Sequence, residues 1–481
     1  MFSTETYTNR RDRLANLMPG SLMLFVGNDD ASFNYHDNQY RFRQDSTFLY
    51  LFGLDSAGMA AIMDTASGET TIFADDVSMD DIVWTGPMES VADRAARAGV
   101  SKTRPMADLD ACLKRAAAGG RTVHYVPPYR GRTIIKIAEL TGKTPAEVKT
   151  GSSTELTKAL VKLRSVKEQC EIDDMDRQMA FGYAMHTAAM RMAHEGYTEN
   201  DIMAQVEFEA LKGGGPVSFP TICTIHGETL HNHGYTHPLE AGRLLLVDAG
   251  CESPNHYATD NTRTTPVGGQ FTTRQREVYE VVLAANNAVA AAARPGVTYK
   301  EMHMLASRVI VDGLKAIGLM RGDTDEAVAA GAQALFMPHG IGHMLGLDVH
   351  DMENYGEDLV GYDDEVRRDS QFGLASLRLG RRLQEGFCVT DEPGIYFIPE
   401  LIDRWKAGHI CEHFVNFSKL ETYKDFGGIR IEDDLLITKD GCRVMGGTRL
   451  PSTPDEVEAE ANSGNNKSRG ANGRDRLTQE N

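Results

Sequence analysis

The chain of 481 residues is 41% hydrophobic and carries a formal net charge of -19, which leaves room for two or three units of roughly 150 residues with cores of their own. An acidic balance with no long Lys/Arg run argues against a nucleic-acid surface. The opening MFSTETYTNRRDRLANLMPG meets Arg10 and Arg11 before any long apolar run, so neither a signal peptide nor a membrane span is expected, and the cytoplasm is. The 7 cysteines are scattered singly without a CxxC pair. Reduced thiols are therefore expected, and any metal should be held by oxygen and nitrogen.

In chain order, the first stretch alternates short apolar runs (SLMLFVG, AAIMD, TTIFA, TVHYVP) with charge-speckled helical segments, the rhythm of an α/β domain expected over residues 1–153. Near Thr154 a long helical signal begins, in which Ser165 and Glu168 have the spacing of a capping box. A second domain is expected from there, over 154–450. Thr198 to Asp201 caps a further helix that stops at Gly213, Gly214 and Gly215, before Pro216. RLLLVDAG and YATDNTRTTPVG read as neighbouring strands across a polar Cys251–Asn255 turn. PHGIGHMLGLDVHD then sets His339, His343 and His350 among three glycines. Beyond Pro451 almost no large apolar residue remains, and a disordered tail is expected over 451–481. The class is α/β (α+β), and no internal repeat is evident.

A carboxylate inside an apolar run is costly unless paired or coordinated. Asp248 ends the run LLLVDAG and Asp260 lies in YATDNTRT; Glu392 in CVTDEPGIYFI and Glu432 in FGGIRIEDDLLI sit in β-like settings. Taken singly, each has a plain reading: a turn-capping Asp248 beside Gly250, an Asp260 paired with Arg263, two solvent-facing strand glutamates. Together with His343 they form a coherent set. Four carboxylates are balanced in charge by two divalent cations rather than one. Ligation by oxygen and imidazole suits manganese, cobalt or zinc, and two metals about 4 Å apart can share a hydroxide and clamp a carbonyl oxygen.

VDAG, YATDNTRT, PHGIGHMLGLDVHD, DEPGIYF and GIRIEDDLLI occur in the order and at the separations of the pita-bread metallopeptidases, and the chain resembles their Xaa-Pro-cleaving branch, prolidase and aminopeptidase P. YRFRQDSTFLYLFGLD is similar to the N-terminal domain signature of that branch, so the likeness covers about residues 1–450. It implies an N-terminal α/β domain followed by a pita-bread catalytic domain. It implies two divalent ions, manganese by family likeness, with Asp248 chelating one, Asp260 and Glu432 bridging, and His343 and Glu392 on the other. It also implies that His231, His339, His350 and Arg430 hold the scissile carbonyl and the developing oxyanion, with Glu392 accepting the proton of the nucleophile. His226, His233 and His237 have no place in the motif and are taken as surface residues. The implied reaction is hydrolysis of the Xaa-Pro bond by a metal-bridging hydroxide. That bond is a tertiary amide without an N–H, so it needs a dedicated pocket.

Prolidase acts on dipeptides and aminopeptidase P on longer chains. GLASLRLGRRLQEGFCVTDEPGIYFI resembles the eukaryotic-type prolidase segment in which an arginine holds the product-side carboxylate, and Arg378 falls there. Arg378, Arg381 and Arg382 can equally be read as a solvated basic cluster. The insertion PELIDRWKAGHICEHFVNFSKLETYKD is also of that type, and Trp84 in IVWTG resembles a prolidase position that reaches the partner subunit's site, in keeping with a homodimer. The expected substrates are therefore Xaa-Pro dipeptides, with release of the N-terminal residue from longer peptides as the alternative. The long acidic stretch DMENYGEDLVGYDDEVRRDSQFG departs from the pattern where a loop could wall off the substrate. Metal-free creatinase chemistry and a non-catalytic binding module are the rival readings, and five intact ligand positions argue against both. Phosphotriester hydrolysis as a side activity is an expectation from likeness alone.

Overall fold

The structure is a computed structural model that describes residues 1–464; the expectation of disorder for 465–481 lies outside the described residues. Two units emerge, one of Met1–Ser165 with Met352–Val360 and one of Val166–Asp351 with Gly361 onward. The expected division at 153/154 thus moves to the end of the next helix, and the start of the acidic stretch belongs with the first unit.

The first unit contains α1 (Thr4–Leu17), β1 (Leu22–Val26), β2 (Ser32–Tyr35), β3 (Asn38–Gln39), α2 (Ser46–Phe52), β4 (Ala60–Asp64), β5 (Glu69–Phe73), α3 (Met79–Thr85) and α4 (Val91–Arg97). There follow β6 (Lys102–Arg104), α5 (Asp108–Ala118), β7 (Val123–His124), α6 (Gly131–Thr141), α7 (Pro145–Thr150) and α8 (Thr154–Ser165). The apolar runs become a sheet ordered β6-β5-β4-β1-β7, parallel at its two outer pairs and antiparallel between. Every residue of β1 is buried, and its Leu22, Leu24 and Val26 pack with Leu109, Leu113, Ile134 and Ile137 from α5 and α6. Gly53 ends α2 at φ +62, where a Cβ would lie 2.2 Å from the Tyr7 ring, so no other residue fits. α3 has no buried residue at all.

The second unit opens with α9 (Gln169–Met192), α10 (Glu199–Lys212), β8 (Ile222–Thr224), β9 (Leu244–Ala249), β10 (Asn261–Pro266), α11 (Thr273–Ala292), α12 (Tyr299–Ala316) and α13 (Thr324–Ala329). α14 (Glu357–Gly361) crosses the unit boundary; then come β11 (Cys388–Asp391), β12 (Gly394–Tyr396), α15 (Pro399–Ala407), α16 (Phe417–Leu420), β13 (Gly428–Arg430), β14 (Asp433–Ile437), β15 (Cys442–Val444) and α17 (Pro454–Ser463). Glu168, not Ser165, caps α9, and its box partner is Glu171. Ser165 instead closes α8. Thr198 and Asp201 cap α10 as the sequence indicates. Met185, Ala189 and Ala193 at the end of α9 and Ile202, Val206 and Ala210 of α10 recur at the four-residue spacing of one helix face, and they cover Leu245, Val247 and Ala249 of β9. Strand alternation then turns Leu246 and Asp248 to the opposite face, where Leu246 packs with Ile222 and Tyr396.

β10, β9 and β8 form one antiparallel sheet and β11, β14 and β15 another. Asp391 pairs with Asp433 and Gly394 with Arg430, so two short ladders flank a break at Glu392–Pro393 and Ile431–Glu432. Pro393, with no N–H to give, accounts for one side of that break. The expected disorder after Pro451 is corrected: Thr453 and Glu456 form a capping box around Pro454, and Pro454, Val457 and Ala461 are buried. A few small apolar residues at helical spacing suffice because they join an existing core rather than build one.

Candidate metal centre

Each acidic side chain of the site comes from a strand end or a ladder break. Asp248, next to last in β9, pairs with Ile222 on one side and Thr262 on the other. Asp260 stands just before β10, and its N–H donates to Asp434 Oδ2 at 3.1 Å. Glu432 N donates to Thr262 O at 3.1 Å, and Thr262 Oγ1 donates to Glu432 Oε2 at 2.6 Å. That contact joins the break to β10. His343 is stitched to β11 by His343 N to Thr390 Oγ1 at 3.1 Å, and Thr390 N donates to His343 O at 3.0 Å.

Histidine tautomers follow from the acceptors. His343 Nδ1 faces Met344 O at 3.0 Å; a carbonyl only accepts, so Nδ1 carries a proton and Nε2 is the nitrogen turned to the carboxylates. Nε2 lies 3.4 Å from Asp260 Oδ2 and 3.8 Å from Glu392 Oε1. Donor atoms of Asp260, His343 and Glu432 all lie within 4.8 Å of one another, and all three residues are buried. Asp248 Oδ1 and Asp260 Oδ1 are buried without a hydrogen-bond partner. Burial, then the neighbouring Asp248 and Asp434, hold Asp260 well above the usual carboxylate range; burial, then Asp260 and Glu392, do the same to Glu432. Glu392 is pushed up mainly by burial, against the pull of His343 and Arg430. Orphaned oxygens, an imidazole nitrogen turned inward and crowded carboxylates short of positive charge are the features of a site shaped for cations.

Around these groups lies a cavity of about 570 Å³. The five sequence-derived ligands line it, as do His231, His339, His350, Arg378 and Arg430. Arg430 donates to Asp248 Oδ2 at 2.6 Å, to Tyr396 OH at 2.7 Å and to Thr262 Oγ1 at 3.2 Å, so it fixes the Asp248 carboxylate. His339 Nδ1 donates to Gly340 O at 2.7 Å, which makes Nε2 the acceptor for Tyr396 OH at 3.0 Å. Burial holds His339 neutral, down at about 3. Both of its nitrogens are thus engaged inside the protein, and Tyr396 ties it to Arg430. The His350 ring packs 4.0 Å from that of His343.

The three arginines do not form one solvated cluster. Arg378 lines the cavity, Arg381 lies over the Phe387 ring at 4.9 Å, and Arg382 pairs with the exposed Glu365. His233 is exposed, as the sequence indicates, and also borders the cavity beside His231. His226 and His237 meet edge to face with ring centroids 4.7 Å apart and bond to Glu228 and Glu199, outside the cavity lining. The sequence reading missed Tyr396, Thr262 and Asp434, which hold the site residues in place.

Comparison with known proteins agrees with this site. The family described as "Metallopeptidase family M24" matches residues 173–439, and "Aminopeptidase P, N-terminal domain" matches 7–125. The human protein named Xaa-Pro dipeptidase is 31% identical over 450 residues, covering 92% of this chain and 88% of its own length. A probable Xaa-Pro aminopeptidase of Colletotrichum graminicola is 32% identical, covering 88% of each. Among solved structures, a substrate complex of a variant Escherichia coli aminopeptidase P is 26% identical with a TM-score of 0.80, over 97% of this chain and all 100% of that one. Pseudomonas aeruginosa aminopeptidase PepP is 28% identical with a TM-score of 0.79. With a carboxylate-histidine centre on a fold shared along nearly its whole length with these peptidases, the chain belongs to metallopeptidase family M24.

Proposed function

We propose that the protein hydrolyses the Xaa-Pro bond with two divalent ions held by Asp248, Asp260, His343, Glu392 and Glu432, and that its preferred substrates are Xaa-Pro dipeptides. The observation that carries the first part is the meeting of Asp260, His343 and Glu432 donors within 4.8 Å beside the orphaned oxygens of Asp248 and Asp260. When bound, two such ions supply Lewis acidity for the scissile carbonyl and activation of the attacking water. The all-oxygen and imidazole donor set suits manganese, with cobalt or zinc as alternatives. Glu392, raised by burial, is the proton acceptor, since a carboxylate shifted toward neutrality is the stronger base. His231 and His350 face the cavity as donors to the developing oxyanion. Arg430 keeps Asp248 in place and, through Tyr396, His339.

Dipeptide preference rests on Arg378, a residue of the cavity lining, which Arg381 and Arg382 are not. A planar fork matches a free carboxylate in two hydrogen bonds. The aminopeptidase reading has support of its own in the fungal relatives and solved neighbours that carry that name. Hydrolysis of Ala-Pro against Ala-Pro-Ala by the manganese-loaded protein, with a chelated control, separates the two. Much faster cleavage of the dipeptide than of the tripeptide is expected. Preference for the tripeptide makes the enzyme an aminopeptidase, and no cleavage of either with metal bound returns the binding-module reading.

Homodimer formation is part of the proposal. α3 presents Met79, Val83 and Trp84, the last 86% exposed, and Phe33, Tyr35 and Tyr40 are exposed at the β2–β3 hairpin. Large apolar groups left in water mark an association surface. Among the described residues no helix is long and apolar enough to cross a membrane. All seven cysteines are free, which supports a reducing compartment such as the cytoplasm.

A further inference from the structure

α9 carries two kinds of buried residue. One set, Met175, Met179, Met185, Ala189 and Met190, is apolar. The other, Glu171, Asp174, Gln178 and His186, is polar, equally buried, and spaced by three or four residues with Gly182 between. This spacing puts all five on one helix face. A helix that needed only to pack would place apolar side chains there, because buried polar groups gain little over well-packed apolar ones and chiefly select one arrangement.

Each polar residue of this stripe meets the segment that joins Asp248 to Asp260. Glu171 Oε1 accepts from Tyr257 OH at 2.7 Å. Asp174 accepts from Ser253 Oγ and, at 2.9 Å, from Asn255 Nδ2. Gln178 Nε2 donates to Glu252 O at 3.0 Å and to Cys251 Sγ at 3.1 Å. At Gly182 the helix comes close enough that a Cβ would lie 3.4 Å from Asn261 Oδ1. His186 Nε2 donates to Ala249 O at 3.0 Å, the carbonyl between Asp248 and Gly250. Ala249 in turn pairs with Asn261 across the strands, so one imidazole sits behind the residues that follow both aspartates.

We infer that the polar stripe of α9 is a positioning element for the metal centre, setting the separation of Asp248 and Asp260 through the β9–β10 connector, with Gln178 and His186 as its principal residues. The inference rests on the reading of Asp248 and Asp260 as metal ligands. Gln178 and His186 act at one remove from the ions, as supporting groups behind metal ligands do when they restrict ligand geometry. A glutamine at position 186 can place an amide donor near the imidazole Nε2, whereas leucine removes the donor at similar volume.

The test is a titration of the chelated full-length protein with manganese chloride, followed by calorimetry and by electron paramagnetic resonance, whose signal from two coupled manganese ions responds to their separation. The unmodified chain is expected to take two ions. His186→Leu and Gln178→Leu are each expected to weaken the looser site about 10–100-fold and to alter the coupled signal. His186→Gln should restore both, and Met179→Leu, on the same helix but off the stripe, should change neither. Variants that melt lower without any change in manganese affinity or coupling would overturn the positioning role and leave a stability role alone. Should His186→Leu not fold, Gln178→Leu carries the same comparison. An unmodified chain that binds no manganese would overturn the metal-centre reading itself, a result distinct from either outcome for the stripe.

Discussion

At the level of single residues, the carboxylates proposed as metal ligands oppose the metal-free fold. Asp260 is buried, and Asp248, Asp434 and Glu392 all raise its proton affinity. Asp260→Asn removes one of the crowded charges at nearly constant shape. The chelated variant should be more stable than the chelated parent by about 1–2 kcal/mol in urea unfolding, while its manganese binding and peptidase activity collapse. A chelated variant that unfolds earlier than its parent would show that Asp260 carries a structural bond instead. Arg378→Met tests the product-side carboxylate clamp. A charged hydrogen-bond pair contributes about 1.5–3 kcal/mol, so kcat/KM for Ala-Pro should fall about 10–150-fold, mostly through KM, while slow turnover of Ala-Pro-Ala stays unchanged. Equal losses on both substrates would rule the clamp out. The carboxylates that meet at the cavity were legible because a carboxylate in an apolar run demands a reason. Tyr396 and Asp434 were not, since their roles exist only where segments far apart in the chain meet.

At the scale of elements, the short apolar runs and the capping signal at Thr198 translate directly into strands and a helix, because these cues are local. Two features escaped for the opposite reason. The polar stripe of α9 looks like a solvated face until the β9–β10 connector covers it, and α17 looks like tail until Val457 and Ala461 find a core. α3 is the converse case: its capping box, Ser78 with Asp81, is complete, yet it buries nothing within the chain. Trp84→Asp should therefore leave the unfolding free energy of the isolated protomer within about 0.5 kcal/mol and shift sedimentation from dimer to monomer. If the variant sediments as the parent does, the association surface lies elsewhere.

For the molecule as a whole, acid acts on two sets of buried groups with opposite sign. His186 and His303, ordinarily near 6.5, are held down at about 4 by burial. Above 6.5 both folded and unfolded chains carry them neutral and they contribute nothing. Between 6.5 and 4 only the unfolded chain takes up the proton, so stability falls with pH, by roughly 3 kcal/mol for each residue at the limit. Asp260, Asp391, Glu432 and Asp434 are displaced upward, chiefly by burial. In chelated protein their protonated forms favour the fold at low pH, and that stability is lost as pH rises through their folded values. Ions at the centre reverse the balance for Asp260 and Glu432, because they bind the ionised carboxylates and compete with protons. The melting temperature with manganese minus that with chelator should therefore widen steadily from pH 5 to pH 8. His186→Gln should flatten the acid side of the chelated curve without touching the neutral side. A difference that stays constant over that range would mean that the carboxylates Asp260 and Glu432 do not exchange protons for metal, and the centre would have to be sought among other groups.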